Sequence, residues 1–187
     1  MNLDWQKAEK ILKDGGIVVL PTDTLYGLIT SVFSEKAVEK IYKIKERNKD
    51  KPFIVLISSI KDLEEFGIKG NFSKIFIPKV SVLVSCKNTK FKYIHRGTGE
   101  IAFRLISKRN KNLYDLINKV GPIVAPSANR ESEKPAETIS EAKKYFGDKV
   151  DYYINGGMKI GEPSTLIRVK EGKIEILRQG TVRINKK

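Results

Sequence analysis

Three polar stretches stand where apolar runs end, and each carries residue types able to hold or transform a ligand. The first is Pro21-Thr22-Asp23-Thr24-Leu25-Tyr26-Gly27-Leu28, directly after the apolar run 17–20. Its hydroxyls and carboxylate offer donors and acceptors, and Gly27 lets the backbone approach a ligand. The same composition suits an ordinary strand-to-helix turn with Thr as a local cap. The second, residues 45–53, places Lys45, Arg47, Lys49 and Lys51 within seven positions. Such a run suits a triphosphate clamp, with Arg as a bidentate fork and Lys as a point charge. It suits the negative end of a helix dipole equally well. The third is Pro126-Ser127-Ala128-Asn129, a loop of small residues whose N–H groups could hold a base or phosphate, or form an Asx- or Ser-type turn. Beyond these, Arg104 sits in an apolar setting, Pro163-Ser164-Thr165 opens a strand, and Arg178-Gln179-Gly180 closes one.

Several other chemistries lack their residues. No GxxxxGK[ST] run occurs, and Gly97-Thr98-Gly99 precedes a strand where a dinucleotide loop would follow one. One histidine, His95, and one cysteine, Cys86, exclude a His/Cys zinc cage and a disulfide framework within the chain. His95 reads as a loop residue and Cys86 as core or edge. Phe72, Phe76, Tyr152 and Tyr153 read as core or rim, for no RNA-stacking pattern surrounds them.

The elements that must position these residues alternate along the chain. Helical spacing is expected over 3–13, after a cap at Ser34, over 110–120, and after the Thr138/Glu141 box. Ser59 and Asp62 box a short helix that ends near Gly67. Strands are expected at 17–20, 53–57, 80–85, 101–105, 123–126, 152–155, 165–169 and 174–177, with Glu171-Gly172-Lys173 as a hairpin signal. The expectation is an α/β fold, one domain over 1–187, with a twisted mixed sheet covered by helices. Ligands of such sheets bind beyond the carboxyl ends of the strands.

The 187 residues are 40% hydrophobic and 31% charged, a globular mixture. Lys and Arg exceed Asp and Glu by 36 to 22, a formal charge of +14 that favours polyanionic partners. Much of that charge is Lys, which on helices is often only a solvated face. No apolar run reaches the ~18 residues of a membrane span, and the start has no apolar signal core, so a soluble cytoplasmic protein is expected.

Taken in order, PTDTLYGL, Lys45-x-Arg47 with Lys51-Pro52, the SAN segment, Pro163-Ser164-Thr165 and Arg178-x-Gly180 resemble the threonylcarbamoyl-AMP synthases, or YrdC-like family, in its short bacterial form. The resemblance implies a YrdC-like fold with a basic concave groove. It implies an ATP-dependent condensation of L-threonine with bicarbonate or CO2, giving threonylcarbamoyl-AMP and pyrophosphate for threonylcarbamoyladenosine modification of tRNA. On it, Lys45 and Arg47 are catalytic. Thr24, Tyr26, Arg104 and Ser164 bind L-threonine, and Lys45, Arg47, Lys51, Ser127, Asn129 and Arg178 bind ATP. ATP is a substrate carrying Mg2+, and no metal cage is expected. A downstream tRNA-modifying transferase complex is the expected partner, tRNA contact is allowed, and no membrane is involved.

The chain departs from that pattern in three places. Ile77-Pro78-Lys79-Val80-Ser81 replaces a Pro-Gly-Pro-x-Thr run, Arg130-Glu131 replaces Ser-Gly after SAN, and Glu100 stands where a small hydroxyl is frequent. The alternative class is a non-catalytic module for structured or double-stranded RNA, acting in translation or ribosome assembly. A carbamoyl-transfer domain of the hydrogenase-maturation kind is disfavoured, because the accompanying domains and zinc motifs are absent from the sequence.

Overall fold

The computed structural model describes residues 2–170 and 173–185, without the Lys170 side chain. The first apolar run becomes Val18–Pro21 (β1), which folds back on Tyr26–Ser31 (β2) as an antiparallel hairpin with Leu20 opposite Gly27. The remaining strands are Ile54–Ile57 (β3), Val80–Ser85 (β4), Glu100–Leu105 (β5), Ile123–Val124 (β6), Tyr152–Tyr153 (β7), Thr165–Lys170 (β8) and Lys173–Arg178 (β9). Among the described residues they form one sheet in the order β7-β1-β2-β6-β3-β5-β4-β8-β9. Pairs β1/β7, β3/β5 and β4/β8 are parallel and the others antiparallel, so the expected mixed sheet is present.

The helices are Leu3–Lys13 (α1), Glu35–Lys45 (α2), Lys92–His95 (α3), Lys111–Val120 (α4) and Ile139–Phe146 (α5). Asn2, Ser34 and Thr138 cap α1, α2 and α5 by accepting from the N–H groups of Trp5, Ala37 and Glu141. The Ser59–Asp62 capping box opens a 3-10 helix, Ile60–Phe66, stopped by Gly67 at φ +72°.

Strand alternation divides the apolar residues between two faces. On one face Val55, Ile57, Val80, Val82, Ile101 and Phe103 pack with Val38, Ile41 and Tyr42 of α2. On the other, Val18, Leu20, Ile29, Leu56 and Ile123 lie under Trp5, Ala8 and Leu12 of α1 and Leu113, Leu116 and Ile117 of α4. The second cover stops near β3. Register carries that face onward from Leu56 to Arg104, from Arg104 to Ser81 and from Leu83 to Arg168, where a cavity takes the place of helices.

Three expectations change. Residues 21–28 are a hairpin turn and the start of a second strand, not a strand-to-helix turn. All six residues of β2 are buried, so its pattern has no polar alternation to announce a strand. The strands expected at 123–126 and 152–155 shorten to two residues each, although Ala125 N–H still donates to Ile54 O at 2.9 Å. Of the hairpin signal, Glu171 and Gly172 lie outside the described residues.

Candidate active site

Arg104 extends from β5 onto the uncovered face, and the β1–β2 turn carries Asp23 to it. Their closest approach is 3.0 Å, between Nη2 and Oδ1, with side chains only 5% and 3% exposed. The approach lacks hydrogen-bond geometry, and both Asp23 Oδ1 and Arg104 Nε are without hydrogen-bond partners. Burial pushes the Arg104 pKa down, Asp23 opposes the shift, and the nearby Arg178 adds to it. The turn is stiffened from within: Thr22 Oγ1 donates to Leu25 O at 2.7 Å and accepts from Thr24 N–H at 3.2 Å.

Arg47 and Arg178 approach from two other elements. Glu46, at φ +55°, ends α2 and turns the chain so that Arg47 lies over the Phe53 ring, with its Nε donating to Lys51 O at 3.2 Å. Phe53 is fixed by stacking on Tyr42 at 4.0 Å. At the end of β9, Arg178 donates to Ser164 O through Nη2 at 2.8 Å and Nε at 3.2 Å. Burial and then Arg47 push the Arg178 pKa down. Gly180 permits this crossing, because a Cβ there would stand 2.1 Å from Pro163 O. The Ser164 and Ser81 hydroxyl oxygens lie 2.9 Å apart.

These groups enclose a cavity of about 370 Å³, lined by Thr22, Thr24, Tyr26, Arg47, Phe53, Arg104, Ser127, Ser164 and Arg178, with Leu83, Ala102 and Leu166 as an apolar floor. Glu100 and Arg168 line its far end as a bidentate pair at 3.1 and 2.8 Å. Among the described residues, Arg47 and Arg178 have no carboxylate within salt-bridge distance. The result is a concave site with excess positive charge and few competing anions, suited to a polyanion beside a small polar molecule.

Of the residues expected there, Thr24, Arg47, Arg104, Ser127, Ser164 and Arg178 line the cavity. Tyr26 lines it too, but its hydroxyl is engaged, donating to Gly157 O and accepting from Gly156 N–H, both at 2.8 Å. Lys45, Lys51 and Asn129, also expected there, do not line it. Lys45 is 2% exposed, and its Nζ donates to Ser127 O at 2.6 Å and Asn129 O at 2.5 Å. Burial first, and then Arg47, lower its pKa to about 7 against the pull of Glu131. Asn129 Oδ1 accepts from Ser127 Oγ at 2.6 Å, and its Nδ2 donates to Arg130 O and Glu133 O, both at 2.8 Å. Lys51 is exposed and ion-paired with Glu131 at 2.5 Å. Lys45 and Arg47, close along the chain, diverge in space: Lys45 ends a helix and points beneath the SAN loop, whereas Arg47 follows the left-handed residue and lines the cavity.

Asp23 was visible only as one carboxylate in a polar turn. The signal that could have singled it out was Arg104, since a guanidinium in an apolar strand needs a buried counter-ion. His95 Nδ1 accepts from Gly97 N–H at 3.2 Å and organises a turn, and the Cys86 thiol is buried against Phe66 O. Among the described residues no cluster of three His, Cys, Asp or Glu could hold a metal, and no helix is long and apolar enough to cross a membrane.

A family model, Sua5/yciO/yrdC, described as telomere recombination, matches residues 10–180. A putative threonylcarbamoyl-AMP synthase of Methanocaldococcus jannaschii is 28% identical over 196 residues, 95% of this chain and 86% of that protein. The threonylcarbamoyl-AMP synthase of Pyrococcus abyssi is 33% identical over 92% of this chain, which spans about half that protein's length, 53%. The crystal structure of P. abyssi Sua5 complexed with L-threonine superposes with a TM-score of 0.84 at 28% identity, covering 94% of this chain and 54% of that one. The E. coli YciO crystal structure, at 22% identity and a TM-score of 0.81, shares the fold over 95% of this chain and 89% of its own.

Proposed function

The chain belongs to the Sua5/YciO/YrdC family, and from that membership we propose that it makes threonylcarbamoyl-AMP from L-threonine, bicarbonate or CO2, and ATP. The observation that carries this reading is the convergence of Arg47, Arg104 and Arg178 on one cavity, with Arg47 and Arg178 unpaired by carboxylates among the described residues. Arg104, which lines the cavity, supplies the guanidinium that pairs with the threonine carboxylate. Thr24, Tyr26 and Ser164 bound the threonine side of the same cavity. Arg47 and Arg178 hold the phosphates, Ser127 contacts the nucleotide, and Lys45 and Asn129 keep the loop that presents Ser127 in place.

The chemistry asks mainly for positioning and charge neutralisation. The threonine amine adds to the carbon of CO2 and loses a proton, giving a carbamate. A carbamate oxygen attacks the α-phosphorus in line, and pyrophosphate leaves with the electron pair of the broken P–O bond. Guanidiniums around the phosphates offset the charge that develops. Mg2+ travels with ATP, held by phosphate oxygens and water. The product passes to a downstream transferase complex that modifies tRNA, and the reaction belongs in the cytoplasm.

The test is pyrophosphate release from MgATP with L-threonine and bicarbonate together and with each omitted, followed by mass spectrometry for threonylcarbamoyl-AMP. Release that requires both co-substrates is expected. ATP binding without release under any condition would contradict the synthase reading, and salt-sensitive binding of structured RNA would then favour the alternative class.

A further inference from the structure

The loop after Asn129 carries a carboxylate into the cation-rich loop that follows α2. Glu131 N–H donates to Lys45 O at 2.8 Å, which fixes the backbone. Its carboxylate accepts from Asn48 N–H at 2.6 Å and from Lys51 Nζ at 2.5 Å. A main-chain N–H beside an ammonium is the donor pair that holds a phosphate oxygen elsewhere. The position adjoins the cavity: Arg47, which lines the cavity, precedes Asn48 and bonds the carbonyl of Lys51. Lys51, then the Asn48 N–H, and more weakly Arg47 hold the Glu131 carboxyl below the usual carboxylate range.

Glu131 is also free to leave. Its side chain is 21% exposed, and the loop keeps other ties when it goes. Asn129 Nδ2 still binds Arg130 O and Glu133 O, and Lys45 still holds Ser127 O and Asn129 O. The carboxylate is thus a replaceable anion on a loop that does not depend on it.

We propose that Glu131 is a built-in anion holding the terminal-phosphate position of this clamp, so that a nucleoside triphosphate binds by displacing it. The inference rests on the ATP reading above. On this proposal only a nucleotide whose phosphate chain extends to the Asn48 N–H and Lys51 competes with Glu131, so Glu131 tunes affinity for the triphosphate alone. A shorter nucleotide leaves Glu131 in place and neither gains nor loses by it.

The experiment is calorimetric binding of ATP, ADP and AMP, the first two with Mg2+, to wild type, Glu131→Gln, Lys51→Met and the double variant, each checked for folding by circular dichroism. Glu131→Gln is expected to tighten ATP roughly three- to fivefold, the scale of one exposed charge contact, and to leave AMP unchanged. Lys51→Met should weaken ATP, and the gain from Glu131→Gln should vanish in its presence. Weaker or unchanged ATP binding by Glu131→Gln would overturn the proposal and leave Glu131 a clasp. An equal gain for AMP would overturn it too. Wild type that binds no ATP would contradict the ATP reading itself, and this inference with it.

Discussion

One sheet face has two halves built from neighbouring strands and filled by opposite chemistry. Under α1 and α4 it presents Val18, Leu20, Ile29, Leu56 and Ile123, all essentially without solvent exposure. A strand further on, at the same register level, it presents Arg104 beside Leu56, then Ser81, and Leu83 beside Arg168. The backbone is the same kind of ladder in both halves, and only the cover differs. Where helices close over the sheet, burying apolar area stabilises the fold. Where the sheet outruns its helices, the uncovered strands hold charge and a cavity. The candidate site is the part of the sheet that its helices do not reach.

The comparison breaks first at Arg104. Arg104→Met should reduce turnover by about 10²- to 10³-fold, the scale of losing one positioned charge. It should also destabilise the protein, because Asp23 stays buried alone. Turnover measured on the folded fraction separates the two effects. In the covered half, Leu116→Ala should cost about 2–5 kcal/mol in denaturant unfolding while turnover per folded molecule stays near wild type.

Gly180→Ala tests the seam between β9 and the cavity. The added Cβ meets backbone at 2.1 Å, so Pro163, Ser164 and Arg178 must shift. A loss of about 1–3 kcal/mol in stability is expected, with reduced ATP affinity read in the same preparation. A pH effect concerns Lys45, whose folded value of about 7 lies below the ordinary 10.5. Between those values the unfolded chain binds the proton more readily than the folded one, so this group makes stability rise with pH from about 7 toward 10.5. Denaturation midpoints across that range should show a steeper rise for wild type than for Lys45→Met. Equal slopes would contradict the burial of a charged amine beneath the SAN loop.

The covered half was legible in the sequence, and the uncovered half only in outline. Helical spacing in 3–13 and 110–120 announced both covering helices, whose buried residues recur at the helical period. The arginine in an apolar strand, the SAN turn and Arg178-x-Gly180 announced that something polar converges. What stayed hidden depends on direction rather than composition. Lys45 and Arg47 are two residues apart, yet a left-handed Glu46 sends one beneath a loop and the other into the cavity. The β2 strand was concealed by complete burial, and with it the hairpin that brings Asp23 to Arg104. Glu131 and Lys51 are 80 residues apart and meet only because β6 lies between β2 and β3.

The central claim is that the uncovered half of this face is where substrates bind. A crystal structure grown with L-threonine and a non-hydrolysable ATP analogue tests it most directly. The account predicts the threonine carboxylate within hydrogen-bond distance of Arg104, and phosphates between Arg47 and Arg178. Both ligands lying outside the cavity, with the Arg104–Asp23 pair untouched, would contradict it.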